Sequence, residues 1–371
     1  MTRAKDAKTI IIYKEPHAYC SHPCVTKLRN GDWLVAFCNS TQRQPMLHPP
    51  GDPQFINLVI RTSDQGQSWQ APRVAPNYDW YGVEVPGISQ LANGDVLLNQ
   101  WRFLWFPLEL AKKRWATHHE SIFIRDTTAR QWRPATSAAD WKQHPYPYAR
   151  AEGGAFVQIS TDNGYTWELT APVNIAPYQG AFSPKGALEL RNGDVLLALG
   201  SHDHDPLGAS FIVRSQDKGR TWGQPVEAAR TLGLLFSEPS IAETASGKLL
   251  VLSREETQGY IHQSSSTDGG STWSPAQPLS LWGYPIHCIR LADGRMAIVY
   301  GWRQAPWGIR GAVSLDEGES WSDEIVIRDD LPNRNLGYPS VIEYAPGKLF
   351  TAYYGEDNDG VTCIQGTYFS V

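Results

Sequence analysis

The sequence of 371 residues contains no apolar run approaching the roughly 20 residues that a membrane-spanning helix needs. Its charged first ten residues are not followed by the apolar segment of a signal peptide. Cysteine is scarce and odd in number, and none of the five forms a Cys-x-x-Cys pair: Cys20, Cys24, Cys38, Cys288 and Cys363. Most lie in apolar, strand-like runs, which indicates buried free thiols. These features favour a cytoplasmic protein that has no membrane partner.

Excess positive charge is also missing, because 33 Lys and Arg stand against 38 Asp and Glu and give a net charge of −5. Such a chain lacks the electrostatic grip that sequence-independent binding to nucleic acid requires. Glycine-rich phosphate loops, helical His-Glu-x-x-His pairs and a Ser-His-Asp signature do not stand out. The sequence therefore predicts neither a nucleic-acid partner nor a cofactor or metal. In contrast, 15 Trp and 16 Tyr are present beside only 3 Met, a composition typical of β-rich proteins that handle carbohydrate.

One pattern occurs six times along the chain. A short strand opens with a proline, a turn such as Asn30-Gly31-Asp32 follows, and a second, apolar strand leaves the turn. The same position in each copy is marked by a proline: Pro23, Pro86, Pro184, Pro239, Pro285 and Pro339. Six hairpins of this kind predict one large repeat domain over residues 1–371 and an all-β fold.

The two ends of the chain are also strand-like. Residues 361–371 follow the sixth hairpin, and the β-rich run that ends in Ile10–Tyr13 precedes the first. A closed ring of sheets often completes its last sheet with a strand from the beginning of the chain, because this removes an exposed edge. We expect Ile10–Tyr13 to form the outer strand of the sheet that contains Tyr338.

A second motif, Ser/Thr-x-Asp-x-Gly-x-x-Trp, follows five of the hairpins. Its aspartate can accept backbone N–H bonds within a turn, its glycine can adopt a positive φ, and its tryptophan can pack back onto the sheet. Five copies of one turn indicate a structural role rather than a catalytic one. The copies are 62–69, 160–167, 215–222, 266–273 and 314–321.

These motifs are the Asp-boxes of the bacterial neuraminidase repeat, and the chain resembles the sialidase superfamily over nearly its whole length. The resemblance implies a six-bladed β-propeller with the Asp-boxes on the rim away from the active site. It says less about activity, because propellers carry many chemistries.

The spacing of the marker prolines is longest between Pro86 and Pro184, where an aromatic-rich insertion occupies about residues 101–150. Long insertions in compact folds are often functional. Aromatic rings suit the apolar faces of sugars, so the insertion could form a substrate rim. A subunit interface of a homo-oligomer and a loop packed on itself are the alternatives.

The resemblance also implies a set of site residues. The catalytic tyrosine corresponds to Tyr338, in Tyr338-Pro-Ser, and the glutamate that activates it corresponds to Glu238, in Glu238-Pro239. Arginines that bind the substrate carboxylate correspond to Arg254, which ends the following strand, and to Arg310, which precedes the last Asp-box. The acid/base aspartate and a nearby binding arginine correspond to Asp52 and Arg43.

One departure from the family concerns its Arg-Ile-Pro motif, which is replaced here by Ser21-His22-Pro23. The first arginine of the carboxylate-binding triad is therefore absent. Arg303 or Arg43 could partly replace it. His22 and Glu84 lie beside marker prolines and are expected to face the central channel as substrate-binding residues.

The resemblance thus implies a sialidase-like exo-glycosidase that removes a terminal, acidic sugar from a glycan or oligosaccharide. Because the first arginine is missing, two alternatives stay open within the same fold. One is a glycosidase for a neutral sugar, and the other is a lyase that eliminates across a uronic acid with His22 or a tyrosine as base. A propeller that binds glycans without turnover is a further alternative.

Overall fold

The computed structural model of the protein describes residues 1–42, 53–76, 81–126, 131–178, 180–201 and 208–371. These residues form six mainly antiparallel sheets. Each sheet packs against the next in chain order, and the sixth packs against the first, so that the ring is closed. The fold is the predicted all-β, six-bladed propeller.

The strands and helices follow in chain order. Two strands precede the first blade: β1 (Thr2–Arg3) and β2 (Lys5–Tyr13). Blade 1 contains β3 (Ala18–Lys27), β4 (Trp33–Thr41), β5 (Ile56–Thr62) and β6 (Arg73–Val74). Blade 2 contains β7 (Tyr81–Gln90), β8 (Val96–Pro107), α1 (Leu108–His118), β9 (Ile122–Asp126), β10 (Gln131–Pro134), α2 (Asp140–Gln143), β11 (Tyr148–Ser160) and β12 (Leu169–Pro172). Blade 3 contains β13 (Ala181–Phe182), β14 (Leu188–Glu189), β15 (Val195–Ser201), β16 (Ser210–Ser215) and β17 (Val226–Ala229).

The remaining strands complete the ring. Blade 4 contains β18 (Phe236–Glu243), β19 (Leu249–Glu255), β20 (Tyr260–Ser266) and β21 (Gln277–Trp282). Blade 5 contains β22 (Ile286–Arg290), β23 (Met296–Trp302), β24 (Gly308–Ser314) and β25 (Ile325–Arg328). Blade 6 contains β26 (Leu336–Ala345), β27 (Lys348–Glu356) and β28 (Thr362–Ser370).

The N-terminal strands close the ring. Strand β2 pairs antiparallel with β28, with Ile10 opposite Gly366 and Tyr13 opposite Ile364, which confirms that Ile10–Tyr13 joins the blade of Tyr338. Strand β1 adds a parallel fifth strand to blade 5, with Thr2 opposite Ile325. This second pairing was not predicted, because two polar residues carry no periodic signal.

The second strand of each blade lies at the centre of the core. In blade 3 all seven residues of β15 are buried, and in blade 1 the first six residues of β4 are buried. A strand that is covered on both faces by neighbouring blades needs apolar residues on both sides, so its sequence is a continuous apolar run rather than an alternating one. This explains runs such as Val195-Leu-Leu-Ala-Leu.

The Asp-boxes are structural turns, as their repetition predicts. In the third copy, Asp217 Oδ1 accepts the N–H groups of Arg220 at 3.1 Å and Thr221 at 2.8 Å. Gly219 has a φ of 87°, a conformation that glycine adopts at little cost. The Trp222 side chain is only 8% exposed and packs into the core between blades 2 and 3.

The insertion extends blade 2 and packs largely on itself. Strands β8 and β11 pair out to Pro107 opposite Tyr148, with one shift of register between Glu152 and Gly154. The elements α1, β9, β10 and α2 lie between these two strands in the sequence. Trp132 and Trp141 are buried, and the Arg150 guanidinium lies 5.0 Å from the Trp132 ring centroid. Packing within the insertion accounts for these buried rings, while a substrate rim and a subunit interface stay predictions.

All five cysteines are free and buried, as the sequence predicts. Neither of the described helices is long and apolar enough to cross a membrane.

Candidate active site

The first strands of four blades carry the same backbone distortion next to their marker prolines. Each has a break in its pairing register at this point: between Ser21 and Cys24, Glu84 and Gly87, Ser237 and Ser240, and Gly337 and Ser340. The residue before the proline has a positive φ in all four: His22 (53°), Val85 (48°), Glu238 (47°) and Tyr338 (50°). Such conformations cost on the order of 1–3 kcal/mol for residues other than glycine and cluster at functional sites. The distortions re-aim side chains that would otherwise alternate across the sheet.

Tyr338 and Glu238 meet at the channel from blades 6 and 4. The Tyr338 hydroxyl donates a hydrogen bond to Glu238 Oε1, and both side chains are buried. Burial raises the pKa of Tyr338 well above its usual value, and the Glu238 carboxylate adds to this shift. The cations Arg254 and Arg303 act in the opposite direction. The phenol therefore keeps its proton at neutral pH, with a carboxylate already placed to accept it.

Arg254 is held by two carboxylates. Its Nη1 lies 2.8 Å from Glu238 Oε2, and its Nη2 lies 2.7 Å from Glu256 Oε2. The Ser237 hydroxyl donates to the other oxygen of Glu256. Burial alone would lower the pKa of Arg254, but the two carboxylates outweigh it and raise this pKa. Arg254 is thus a fixed cation next to the Tyr338–Glu238 pair.

Arg303 reaches the same region from blade 5. Its Nε donates to the Leu336 carbonyl at 3.0 Å, and its Nη2 donates to the Tyr354 hydroxyl at 3.4 Å. Its guanidinium lies 5.9 Å from the centroid of the Tyr338 ring. The structure therefore brings Arg303 together with the predicted nucleophile.

His22 packs directly on Tyr338. The two ring centroids are 4.0 Å apart in an edge-to-face arrangement, and the Ser21 hydroxyl lies 2.8 Å from His22 Nδ1. His22 thus places an imidazole against Tyr338 at the motif that lacks the arginine, and its role in substrate binding stays a prediction.

Glu84 lies on blade 2 and is 2% exposed. Burial raises the pKa of its carboxyl group well above the usual value; Glu238 and Glu152 act in the same direction, and Arg150 acts against them. Its Oε2 has no hydrogen-bond partner within the part of the chain that the structure describes. The raised pKa favours the protonated form, which can donate a hydrogen bond to a sugar oxygen.

Trp101 lies opposite Glu84 in the pairing of β7 with β8. The Trp101 ring stacks on Phe182 with centroids 4.9 Å apart, and Trp101 Nε1 donates to Glu152 at 2.9 Å. Here the first residues of the insertion lie beside the channel.

Arg310 is the one described site residue predicted from the sequence that is not brought to this constellation. Arg310 donates from Nη1 to the Arg328 carbonyl at 2.7 Å and from Nη2 to the Pro306 carbonyl at 3.4 Å. Burial lowers the pKa of Arg310, and its described contacts do not include Tyr338, Glu238 or Arg254. Arg43 and Asp52 lie outside the described residues, so their assignments stay predictions.

Two further residues at the site, Glu256 and Lys185, were not expected there from the sequence. Glu256 lies two residues beyond Arg254, and the run Arg254-Glu-Glu256 at the end of a second strand could have indicated a charge cluster. Lys185 follows the marker Pro184 and is buried on the channel axis, a position that no sequence pattern reveals. Among the described residues, no group of three or more His, Cys, Asp or Glu is arranged to hold a metal ion.

A closed ring of six blades with Asp-box turns and a Tyr-Glu-Arg constellation at its channel defines a sialidase-type propeller. The family of BNR repeat-like domains matches residues 141–351, and the chain belongs to this family as a divergent member of the sialidase superfamily.

The chain is similar to a sialidase of Bacteroides fragilis (strain YCH46), with 22% identity over 299 residues. The match covers 76% of this chain and 50% of that protein, so the chain spans half the length of this curated relative. A protein of unknown function from Dyadobacter fermentans DSM 18053 has a similar structure, with a TM-score of 0.81, 22% identity and coverage of 98% and 99% of the two chains. The NanB sialidase of Streptococcus pneumoniae superposes with a TM-score of 0.70 at 14% identity, over 98% of this chain and 70% of the other. At these identities the two structures establish the fold alone.

Proposed function

We propose that this protein is a sialidase-like exo-glycosidase that uses Tyr338 as its nucleophile and Glu238 as the base that activates it. The observation that carries the proposal is the hydrogen bond from the buried Tyr338 hydroxyl to the Glu238 carboxylate. A phenol is a weak nucleophile until an adjacent base removes its proton. The left-handed backbone at both residues aims the two side chains at each other from separate blades.

The reaction then proceeds in two displacements. Glu238 takes the phenol proton as Tyr338 Oη bonds to the anomeric carbon, and the glycosidic bond to the leaving oxygen breaks. The leaving oxygen takes a proton from a carboxylic acid, the role expected of Asp52. Water then attacks the anomeric carbon and gives a proton to the carboxylate that protonated the leaving group. The bond to Tyr338 breaks, and Glu238 returns its proton to the phenolate. The products are the free sugar and the alcohol to which it was attached.

An acidic terminal sugar is the substrate that the cations favour. A carboxylate on the anomeric carbon would repel a carboxylate nucleophile, whereas a tyrosine avoids this repulsion. Arg254 and Arg303 flank Tyr338 and could bind such a carboxylate through charge-assisted hydrogen bonds. The Glu84 carboxyl group could donate to a sugar hydroxyl from blade 2.

A second candidate is a neutral terminal sugar, and a specific observation favours it. Arg254 is already paired with both Glu238 and Glu256, so much of its positive charge is compensated without a substrate. The first arginine of the family's triad is absent, and Arg310 is bound to backbone carbonyls. Both features weaken the case for a strict requirement for a carboxylate.

A panel of sialyl, rhamnosyl and uronyl glycosides tests the proposal. We expect release of a free sugar by the wild-type protein and none by Tyr338→Phe, since this variant lacks only the attacking oxygen. Release from the sialyl substrate supports the acidic-sugar proposal, and release from the rhamnosyl substrate supports the neutral-sugar one. A new absorbance from an unsaturated uronate would instead identify a lyase. Binding without turnover would identify a glycan-binding propeller, and either result would refute the glycosidase.

A further inference from the structure

Lys185 crosses the channel from blade 3 to the opposite blade of the ring, blade 6. Its Nζ donates to the carbonyl oxygen of Pro339 at 2.7 Å, and the lysine is 2% exposed. Pro339 directly follows Tyr338. The lysine therefore holds the peptide next to the proposed nucleophile, from the far side of the axis.

The chain around Lys185 is built to hold this position. The first strand of blade 3 is interrupted between β13 and β14, and Lys185 lies in the gap. The Ser183 hydroxyl donates to the Lys185 carbonyl at 3.0 Å, and Asn99 Nδ2 donates to the Ser183 carbonyl at 3.0 Å. Gly87 packs so closely that a Cβ atom there would lie 2.1 Å from the Lys185 carbonyl oxygen. Blade 2 thus fixes the backbone from which the lysine extends.

The ammonium group has no salt-bridge partner in the described ranges of the chain, and its one hydrogen-bond acceptor there is the Pro339 carbonyl. The titratable groups that face it are Cys24 from blade 1, Glu238 from blade 4 and His287 from blade 5. A buried cation with so few partners costs free energy, which natural proteins accept mainly where the charge has a function.

We propose that Lys185 is a positioning residue for Tyr338: by binding the Pro339 carbonyl it stabilises the left-handed turn that points the phenol at Glu238. This inference rests on the proposed function for its catalytic consequence. The hydrogen bond from Lys185 Nζ to the Pro339 carbonyl, called the clamp below, is itself a property of the fold. The bond is charge-assisted and roughly twice as strong as one between neutral groups. Loss of the charge should loosen the turn and displace the phenol oxygen.

The clamp gives the activity a limit at alkaline pH. Burial lowers the pKa of Lys185 to about 8, while Cys24 and Glu238 act against this shift. The ammonium form that makes the strong bond is present below this pKa and is lost as the pH rises through about 8. Turnover should therefore fall as the pH rises above about 8. Tyr338 itself still holds its proton in this range, because its pKa is raised well above the usual value.

The test that needs no turnover uses the protein labelled with 3-fluorotyrosine and followed by fluorine NMR. The Tyr338 resonance is assigned by its absence from Tyr338→Phe. In the unsubstituted chain we expect this resonance to shift with a midpoint near pH 8. In Lys185→Met we expect a displaced resonance with no transition near this pH.

The matched control is Lys27→Met. Lys27 Nζ also donates to a carbonyl of β26, that of Tyr344 at 3.0 Å. The Lys27 side chain is exposed, however, and Tyr344 lies at the end of β26 that is remote from Tyr338. This variant should keep both the Tyr338 resonance and its transition. A Tyr338 resonance that is the same in Lys185→Met as in the wild type would overturn the proposal.

Steady-state kinetics give the second readout, with the glycoside that the substrate panel identifies. Lys185→Met should lower kcat about 10- to 100-fold with little change in KM, the effect of a small displacement of a reacting group. Lys185→Arg, which stays charged, should recover part of kcat and move the alkaline limit above pH 9. Wild-type kcat in a folded Lys185→Met would refute the positioning role. If no glycoside is turned over, the proposed function fails, and the fluorine measurement still decides the clamp.

Discussion

The guanidinium of Arg254 lies 4.1 Å from the centroid of the Tyr284 ring. Arg303 lies 5.2 Å from the centroid of the same ring, so one tyrosine from blade 5 contacts both site arginines. The negative face of an aromatic ring attracts a cation, and such a contact stabilises by about 0.5–2 kcal/mol. Together with Glu238 and Glu256 it keeps two positive groups close to Tyr338 before any substrate arrives.

Tyr338→Phe and Arg254→Ala should separate chemistry from binding. Tyr338→Phe removes only the nucleophilic oxygen, so turnover should be nearly abolished while Kd changes little. Arg254→Ala should weaken binding of an acidic sugar by about 1.5–3 kcal/mol, the range for a hydrogen bond to a charged group. Calorimetric titration and steady-state kinetics measure the two effects. Full activity in Tyr338→Phe would exclude the tyrosine mechanism and direct attention to His22, Asp52 and Glu84.

Arg303 and Arg310 should respond differently to replacement by methionine. Arg303→Met removes a cation beside Tyr338 and should raise the Kd of an acidic substrate or inhibitor. Arg310→Met leaves two buried carbonyls without their donor and should lower the free energy of unfolding by roughly 1–3 kcal/mol. The Kd of Arg310→Met for the same acidic ligand should stay at the wild-type value. A large rise in Kd in Arg310→Met, with stability unchanged, would restore Arg310 to the binding site.

Trp222→Ala should destabilise the protein without affecting catalysis. The ring fills the core between blades 2 and 3, and removal of a buried tryptophan costs about 3–5 kcal/mol. Thermal unfolding measures the loss, and kcat per folded molecule should equal that of the wild type. Leu315→Ala, in the exposed turn of the fifth Asp-box, is the matched control and should leave Tm unchanged. A stable but inactive Trp222→Ala would contradict the structural role of these turns.

The Asp-box carboxylates should contribute to stability at low pH. In the first copy, Ser68 donates its hydroxyl and its N–H to Asp64, and the Thr62 hydroxyl donates as well, which lowers the pKa of Asp64 to about 2. Because this value lies below that of an unfolded aspartate, the stabilisation is present above about pH 4 and is lost as pH falls through 2. Asp64→Asn should therefore lower Tm at pH 7 and reduce the fall in Tm between pH 4 and pH 2. Asp6→Asn, on the exposed N-terminal strand, should leave that slope unchanged. An unchanged slope in Asp64→Asn would refute this contribution.

The fold was predictable because its signals are local and repeated. A marker proline, a tight turn and a following apolar strand recur in every blade, and each Asp-box carries its own turn chemistry. Tyr338, Glu238 and Arg254 could be located because each occupies a fixed point of such a repeat, beside a marker proline or at the end of the following strand. The position of each residue within its repeat was therefore enough to place it at the channel.

The other site features depend on side-chain direction and on contacts across the ring, which a repeat does not encode. Arg310 was chosen by its spacing from an Asp-box, but it lies on the third strand of its blade and binds the carbonyl of Arg328 on the neighbouring strand. Lys185 gains its environment from Gly87, Ser183 and Pro339, three residues in three different blades. The pairing of Glu256 with Arg254 likewise depends on rotamers, which follow from packing rather than from sequence order.

The closure of the ring has a consequence for the order in which the chain can fold as it is synthesised. Strands β1 and β2 are synthesised before the six blades, whereas their partners β25 and β28 are synthesised only after the first four blades. The first residues must therefore wait, unpaired, while four complete blades form, and blades 5 and 6 finish only when both ends of this chain meet. Those two blades carry Arg303 and Tyr338, so the candidate catalytic centre is assembled in the final step of folding. Binding of a substrate analogue to Tyr338 and Arg303 would accordingly report that the whole ring has closed.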